Sequence, residues 1–150
     1  GEINGKRPDH VLQLYPNDTN SIILSIESKD RSFDLEPNVG TQLKQYIKYL
    51  STFIPSCEKS INGDWSISNR KISLNHNKIV SVAAFIDSGS EDYDNIHSLS
   101  ACDLIFALSR TEVGWNIKII NYMPDNSQYT QLKELILSHT NNIGITCTFL

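Results

Sequence analysis

Cysteine is scarce in this chain of 150 residues, and the three present, Cys57, Cys102 and Cys147, are poorly placed for pairing. They are odd in number and far apart, and they form no C-x-x-C pair. That argues against a disulfide scaffold and gives zinc no ligand spacing, so they read as free thiols of a reducing compartment, the cytoplasm. No apolar run approaches the roughly 20 residues a membrane helix requires. No charged segment followed by an apolar stretch marks a secretory leader, so no membrane partner is expected. Internal repeats and low-complexity tracts are also missing. The four histidines, His10, His76, His97 and His139, lack metal-ligand spacing. With 39% hydrophobic and 20% charged residues, the chain is a globular protein rather than a disordered one. Its length suits a single domain, residues 1–150, with a core of its own. The opening Gly1-Glu2-Ile3, without methionine, reads as that of a fragment of a larger protein, with an adjoining domain beyond it.

Net charge is low as well, −4 at neutral pH. On its face this disfavours a nucleic-acid partner, but the charge is unevenly spread. Residues 1–80 hold 10 Lys+Arg against 9 Asp+Glu, and residues 81–150 hold 3 against 8. The basic residues lie in the half that carries the chemistry described below, and a separate DNA-recognition module would supply most phosphate contacts.

The spacing of apolar and turn residues predicts strands over His10 to Tyr15 and Ser21 to Lys29, joined by the turn-rich Pro16-Asn17-Asp18-Thr19-Asn20. A helix is predicted from Asn38 to Phe53, on Val39, Leu43, Tyr46, Ile47 and Leu50, with Pro55 as its stop. Residues 62–77 read as a loop or small hairpin, and 78–86 as a buried strand. Residues 87–95 read as an acidic loop. Further strands are predicted over 104–109, 115–122 and 145–150. A second helix rests on Tyr129, Leu132, Leu135 and Ile136, capped by Asn126 or Ser127. Strands mixed with two helices imply an α/β sandwich.

No lone nucleophile stands out, so the question is where carboxylates converge. If Tyr15 pairs with Ser21, paired residue numbers in the hairpin sum to 36, and Asp9 faces Glu27 with Cβ atoms about 4.5–5.5 Å apart. Lys29 lies two residues on, on the same face, while Ile22, Leu24 and Ile26 bury the other. A slip of one residue would part the two carboxylates. Two close carboxylates need a proton or a cation between them, and hard oxygen ligands favour Mg²⁺, with Mn²⁺ as substitute. Such an ion can polarise a phosphodiester and acidify a water, and an ammonium beside it can stabilise the transition-state charge.

Arg7-Pro8-Asp9, an extended stretch, and Glu27-Ser28-Lys29 closing an apolar strand together resemble the PD-(D/E)XK motif of restriction-endonuclease-like nucleases. Gln42-Leu43-Lys44-Gln45-Tyr46 on the following helix is similar to the Q-x-x-x-Y element of RecB-type members. The resemblance covers about residues 6–54. It implies a central mixed β-sheet flanked by helices, with the first core helix of the family missing ahead of Lys6. It implies Asp9, Glu27 and the main-chain carbonyl of Ser28 as Mg²⁺ ligands, Lys29 as the catalytic lysine, Gln42 beside the site, and Tyr46 packing against it. The implied activity is Mg²⁺-dependent endonucleolytic hydrolysis of DNA by a restriction-like or defence enzyme. The expected partners are DNA, an added recognition or ATPase domain or subunit, and a second copy in a homodimer. A RecB-like exonuclease module, a catalytically silent fold used for binding or assembly, and an RNA substrate stay open beside it.

Each residue also has a plainer reading. Pro-Asp at a strand start is commonly a turn, and Glu27 with Lys29 is an exposed ion pair worth about 0–1 kcal/mol. Tyr46 belongs to an apolar stripe, Lys44 and Lys48 to a solvated face, Glu91, Asp92 and Asp94 to a solvated loop, and Trp65 and Trp115 to packing. His10 adjoins Asp9 but points to the other face of its strand.

Overall fold

The computed structural model describes residues 8–15, 21–49, 54–59, 65–70, 77–140 and 143–150. Two strands come first, β1 (His10–Leu14) and β2 (Ser21–Lys29). A 3-10 turn (Ser32–Asp34) and helix α1 (Val39–Tyr49) follow, then β3 (Ile54–Lys59), β4 (Trp65–Arg70) and β5 (Asn77–Ile86). Helix α2 (Tyr93–Ser100), β6 (Leu104–Arg110), β7 (Trp115–Asn121), α3 (Asn126–Thr140) and β8 (Ile145–Phe149) complete the order. Six strands make one mixed sheet in the order β1-β2-β5-β6-β7-β8, and β3 and β4 form a separate antiparallel pair. The fold is therefore α/β with a mixed sheet and helices against it.

β2 and β5 explain the arrangement. Both read as nearly continuous apolar runs, Ser-Ile-Ile-Leu-Ser-Ile and Ile-Val-Ser-Val-Ala-Ala-Phe-Ile, which suits parallel strands covered on both faces. They pair in parallel from Ser21↔Asn77 to Lys29↔Phe85. Alternation sends Leu24, Ile26, Val82 and Leu104 to one face, where Leu132 of α3 and Met123 close over them. The other face receives Ala83, Phe85 and Ile105, covered by Val39 and Leu43 of α1 and Ile96 of α2. Ser25, fully buried on this second face, donates its hydroxyl to the Leu43 carbonyl (3.2 Å) and ties α1 to β2.

α1 comes so close to the end of α2 that its second residue has no room for a side chain. A Cβ on Gly40 would lie 2.0 Å from the Ala101 carbonyl oxygen. Ala101 is the C-cap of α2 in the left-handed region (φ 54°), its N–H bonded to the His97 carbonyl.

Three expectations need correction. Residues 93–100 were expected within and after an acidic loop, yet Tyr93–Ser100 is helical, with the Asp92 carboxylate capping it by accepting from the Asn95 N–H. No strand was expected over 54–59, yet β3 lies there and pairs with β4, the strand within the stretch 62–77 read as a loop or small hairpin, from Ile54↔Arg70 to Lys59↔Trp65. Proline is tolerated in β3 because both strands of a two-stranded sheet are edges. Finally, α3 is capped by neither Asn126 nor Ser127. The Asp125 Oδ1 atom accepts from the Ser127 N–H (3.0 Å), the Ser127 hydroxyl (2.6 Å) and the Gln128 N–H (3.3 Å), and these contacts hold its carboxyl below the usual range. The turn expected at 16–20, the helix expected over 50–53, and the side chains of Lys48, Cys57 and Trp65 lie outside the described residues.

Candidate active site

The hairpin of β1 and β2 has the register expected from its turn length. His10 pairs with Ile26 and Leu14 with Ile22, so every pair sums to 36. The Asp9 N–H bonds to the Ile26 carbonyl (2.9 Å), a pair whose numbers sum to 35, so the regular pairing ends at His10↔Ile26 and the expected facing of Asp9 and Glu27 is not part of it. The exposed Asp9 lies beside Ser28 at the open end of the hairpin, and Glu27 is on the face that α1 covers. Lys29, on that same face, places its ammonium 3.3 Å from Glu27 Oε1. The Glu27 side chain is 13% exposed and that of Lys29 34%, so the carboxylate is sunk against the helix and the ammonium reaches out to solvent.

Ser28 points to the opposite face with its side chain, but its main chain serves the site. Its N–H donates to Asp9 Oδ2 (2.8 Å), and its hydroxyl lies 3.4 Å from the same oxygen. Within an antiparallel strand, the N–H and C=O of one residue point to the same neighbour. The Ser28 carbonyl therefore faces the Asp9 side, two residues beyond the Ile26 carbonyl that closes the ladder. His10 shares the far face, with Nε2 at 3.4 Å from the Ser28 hydroxyl. The one Ser28 hydroxyl thus lies 3.4 Å from both His10 Nε2 and Asp9 Oδ2.

α1 forms the wall. Gln42 and Tyr46, one helical turn apart, join Glu27 and Pro8 around a cavity of about 10 Å³ that Glu36, Val39 and Leu43 complete. That volume holds roughly one water molecule. The Gln42 Oε1 atom is buried with no hydrogen-bond partner among the described residues. Glu36 is the residue that sequence reasoning missed. It comes from the loop ahead of α1, and its approach depends on Leu35 being buried and on Asn38 turning the chain with φ 63°; no spacing in the sequence encodes either. Beyond Lys29 the site opens into a trough of about 630 Å³ lined by Ser28, Lys29, Asp30, Asp34 and Ile86.

Two carboxylates and a main-chain carbonyl are oxygen donors of the kind a hard ion takes. In the conformation seen, however, Asp9 is turned to Ser28 and Glu27 to Lys29. Among the described residues, no group of three or more His, Cys, Asp or Glu side chains is gathered closely enough to hold a metal ion.

Other candidates fall to structural roles. Lys44 does not wait for phosphate. It pairs with Asp103 at 2.7 Å, and Asp103 also accepts the N–H of the buried Ser81 (3.0 Å). Glu91 accepts from the Ser32 and Ser88 hydroxyls at 2.6 and 3.0 Å. Asp94 receives the Tyr122 hydroxyl at 3.4 Å. Trp115 is half-buried beneath the Arg110 guanidinium, 5.5 Å from the ring centre. Asp87, at the end of β5, is nearly enclosed and accepts from the Tyr93 hydroxyl (2.9 Å) and the Gly89 N–H (2.8 Å), with Lys118 at 3.7 Å. Burial, then the bond to Asp87, pushes the Tyr93 hydroxyl up to about 12. Much of the acidic surplus of residues 81–150 is thus spent on caps and on ties between elements.

No protein-family model, curated protein or solved structure matches this chain.

Proposed function

We propose that the chain is a metal-dependent nuclease that hydrolyses DNA phosphodiester bonds as an endonuclease. One observation carries the reading: Glu27 and Lys29 share a face at the end of β2 with the ammonium 3.3 Å from the carboxylate, and the Asp9 carboxylate lies between them in the chain's register at the Ser28 N–H (2.8 Å). Asp9, Glu27 and the Ser28 carbonyl would hold Mg²⁺, or Mn²⁺ in its place. Bound there, the ion would supply Lewis acidity at a phosphoryl oxygen and lower the pKa of a water. Lys29 would turn from Glu27 toward the scissile phosphate and stabilise the charge gathering on its oxygens. Gln42, with a buried carbonyl oxygen lacking a partner, would accept from a water in the cavity or from the lysine ammonium and so set its direction.

A second reading has an observation of its own. Asp9 and Glu27 are each satisfied internally, by Ser28 and Lys29, which is also what a silent fold used for binding or assembly would show. Cleavage separates the two. Supercoiled and linear DNA incubated with Mg²⁺, Mn²⁺ or chelator should be cut only with metal. Lys29→Ala should lower the rate by roughly 10²–10³-fold, the cost of removing one oxyanion-stabilising donor. Cutting of closed circles sets an endonuclease apart from an end-dependent exonuclease. Absence of metal-dependent cutting by the intact protein, together with absence of Mg²⁺ or Mn²⁺ binding in calorimetry, would leave the silent fold as the answer.

A further inference from the structure

Phe33 is the most exposed aromatic side chain among the described residues, 80% exposed, and it is held rather than loose. It is the middle residue of the 3-10 turn, which is closed by Asp34 N–H to Arg31 O (3.1 Å) and Leu35 N–H to Ser32 O (3.2 Å). On one side of it the Ser32 hydroxyl is fixed to Glu91 (2.6 Å); on the other, Leu35 is buried in the core. Phe33 follows Lys29 by four residues and directly precedes Asp34, which lines the trough that runs out from Lys29.

We propose that Phe33 is a stacking platform for one base of a single-stranded or locally opened nucleic acid whose backbone lies along Lys29. This rests on the nuclease reading and adds to it how the substrate is gripped. The trough's size suits a nucleotide. Its lining includes Asp30 and Asp34, which repel phosphate but accept hydrogen bonds from the amino groups of bases. The half of the nucleotide that fits there is the base, and an exposed flat ring next in the chain to Asp34 is what a base stacks on, with little regard to sequence. A protein partner fits less well. Arg31, Asp34 and Glu36, its near neighbours in the chain, are exposed and charged, which is unlike the continuous apolar patch that protein interfaces use.

The test is binding of a single-stranded oligonucleotide carrying 2-aminopurine, with chelator in place of Mg²⁺ so that the strand stays intact and Lys29 is kept. Phe33→Ala should weaken binding roughly tenfold or more and abolish the change in 2-aminopurine fluorescence, while Phe33→Trp retains both. Circular dichroism should be unaltered, since the ring packs against little. Equal affinity and equal fluorescence change for Phe33→Ala overturn the inference, as does an effect of Phe33→Ala on self-association alone. Cutting by the otherwise unaltered protein with a KM indifferent to Phe33→Ala removes the stacking contact and leaves the nuclease. Stacking that depends on Phe33, without any cutting, does the reverse. Absence of any nucleic-acid binding removes both.

Discussion

Replacing Gly40 by alanine should destabilise the protein, against the ordinary rule. Glycine inside a helix costs about 1 kcal/mol relative to alanine, so propensity alone favours the change. The space forbids it. The new methyl would stand 2.0 Å from the Ala101 oxygen, 2.5 Å from its carbonyl carbon and 2.8 Å from the Cys102 nitrogen. All three are main-chain atoms with no flexible end to swing away. Ala101 is fixed by its bond to the His97 carbonyl (2.9 Å), and Cys102 is wholly buried. α1 must therefore lift by more than about 1 Å to restore van der Waals contact, against a close-packed interior. Overpacking of this kind costs about 1–3 kcal/mol, and a rigid obstacle belongs at the upper end, so the net loss after propensity is about 2 kcal/mol. In a domain of this size that lowers the melting temperature by about 4–8 °C. Melting followed by circular dichroism at 222 nm reads it directly. Thr41→Ala serves as control, because Thr41 is exposed on the same helix and should melt unchanged or slightly higher. A Gly40→Ala protein as stable as its parent would show that the approach of α1 to the α2 cap is looser than described. Because α1 carries Gln42 and Leu43 over Glu27, the same variant should, on the proposed function, also lose cleavage beyond what its unfolded fraction explains.

Asp103→Ala should cost about 2–3 kcal/mol in urea unfolding, since it strips the acceptor from the buried Ser81 N–H. Lys44→Met should cost under about 1 kcal/mol, because that ammonium is well exposed; equal costs would refute the view that Asp103 acts mainly through Ser81. Cys102, pushed up to about 12 by burial, should stay unmodified by a thiol reagent at pH 8 until the chain is unfolded, and rapid labelling in the native state would contradict its placement. The same raised values at Cys102 and Tyr93 fix the sign of alkaline stability. Unfolded thiol and phenol ionise near 9 and 10 while the folded groups hold their protons to about 12. Stability is thus fully present below pH 9 and drains away as the pH climbs toward 12, and a flat melting temperature over that window would count against both burials.

The sequence made the hairpin legible because two independent constraints agree there. The length of 16–20 sets one register, and the apolar set Ile22, Leu24 and Ile26 demands the same one. β5 was as plain, as its nearly continuous apolar run over 79–86 has no competing period. α2 was hidden for a physical reason. Within Tyr93–Ser100 only Ile96 and Ser100 are buried, so the helix has no apolar stripe, and its real signal was a lone Asp92 cap inside what reads as acidic loop. Glu36 was hidden because its place is decided by a path through space rather than by a period.

The pairing of β2 with β5 has a consequence for how the molecule comes into being. Asp9 and Glu27 are 18 residues apart in the chain, whereas each residue of β2 finds its β5 partner 56 residues downstream. Lengthening a loop by one doubling costs only about 0.6 kcal/mol of closure entropy, so distance is no thermodynamic obstacle, but long-range parallel contacts form slowly. The local hairpin is therefore expected to form before β2 gains its parallel neighbour, and until β5 arrives one edge of β2 is unpaired. A peptide cut before residue 77 would carry Asp9, Glu27, Lys29 and α1 and yet leave β2 without that neighbour. It would present a naked apolar strand to its neighbours, and aggregation would be its fate.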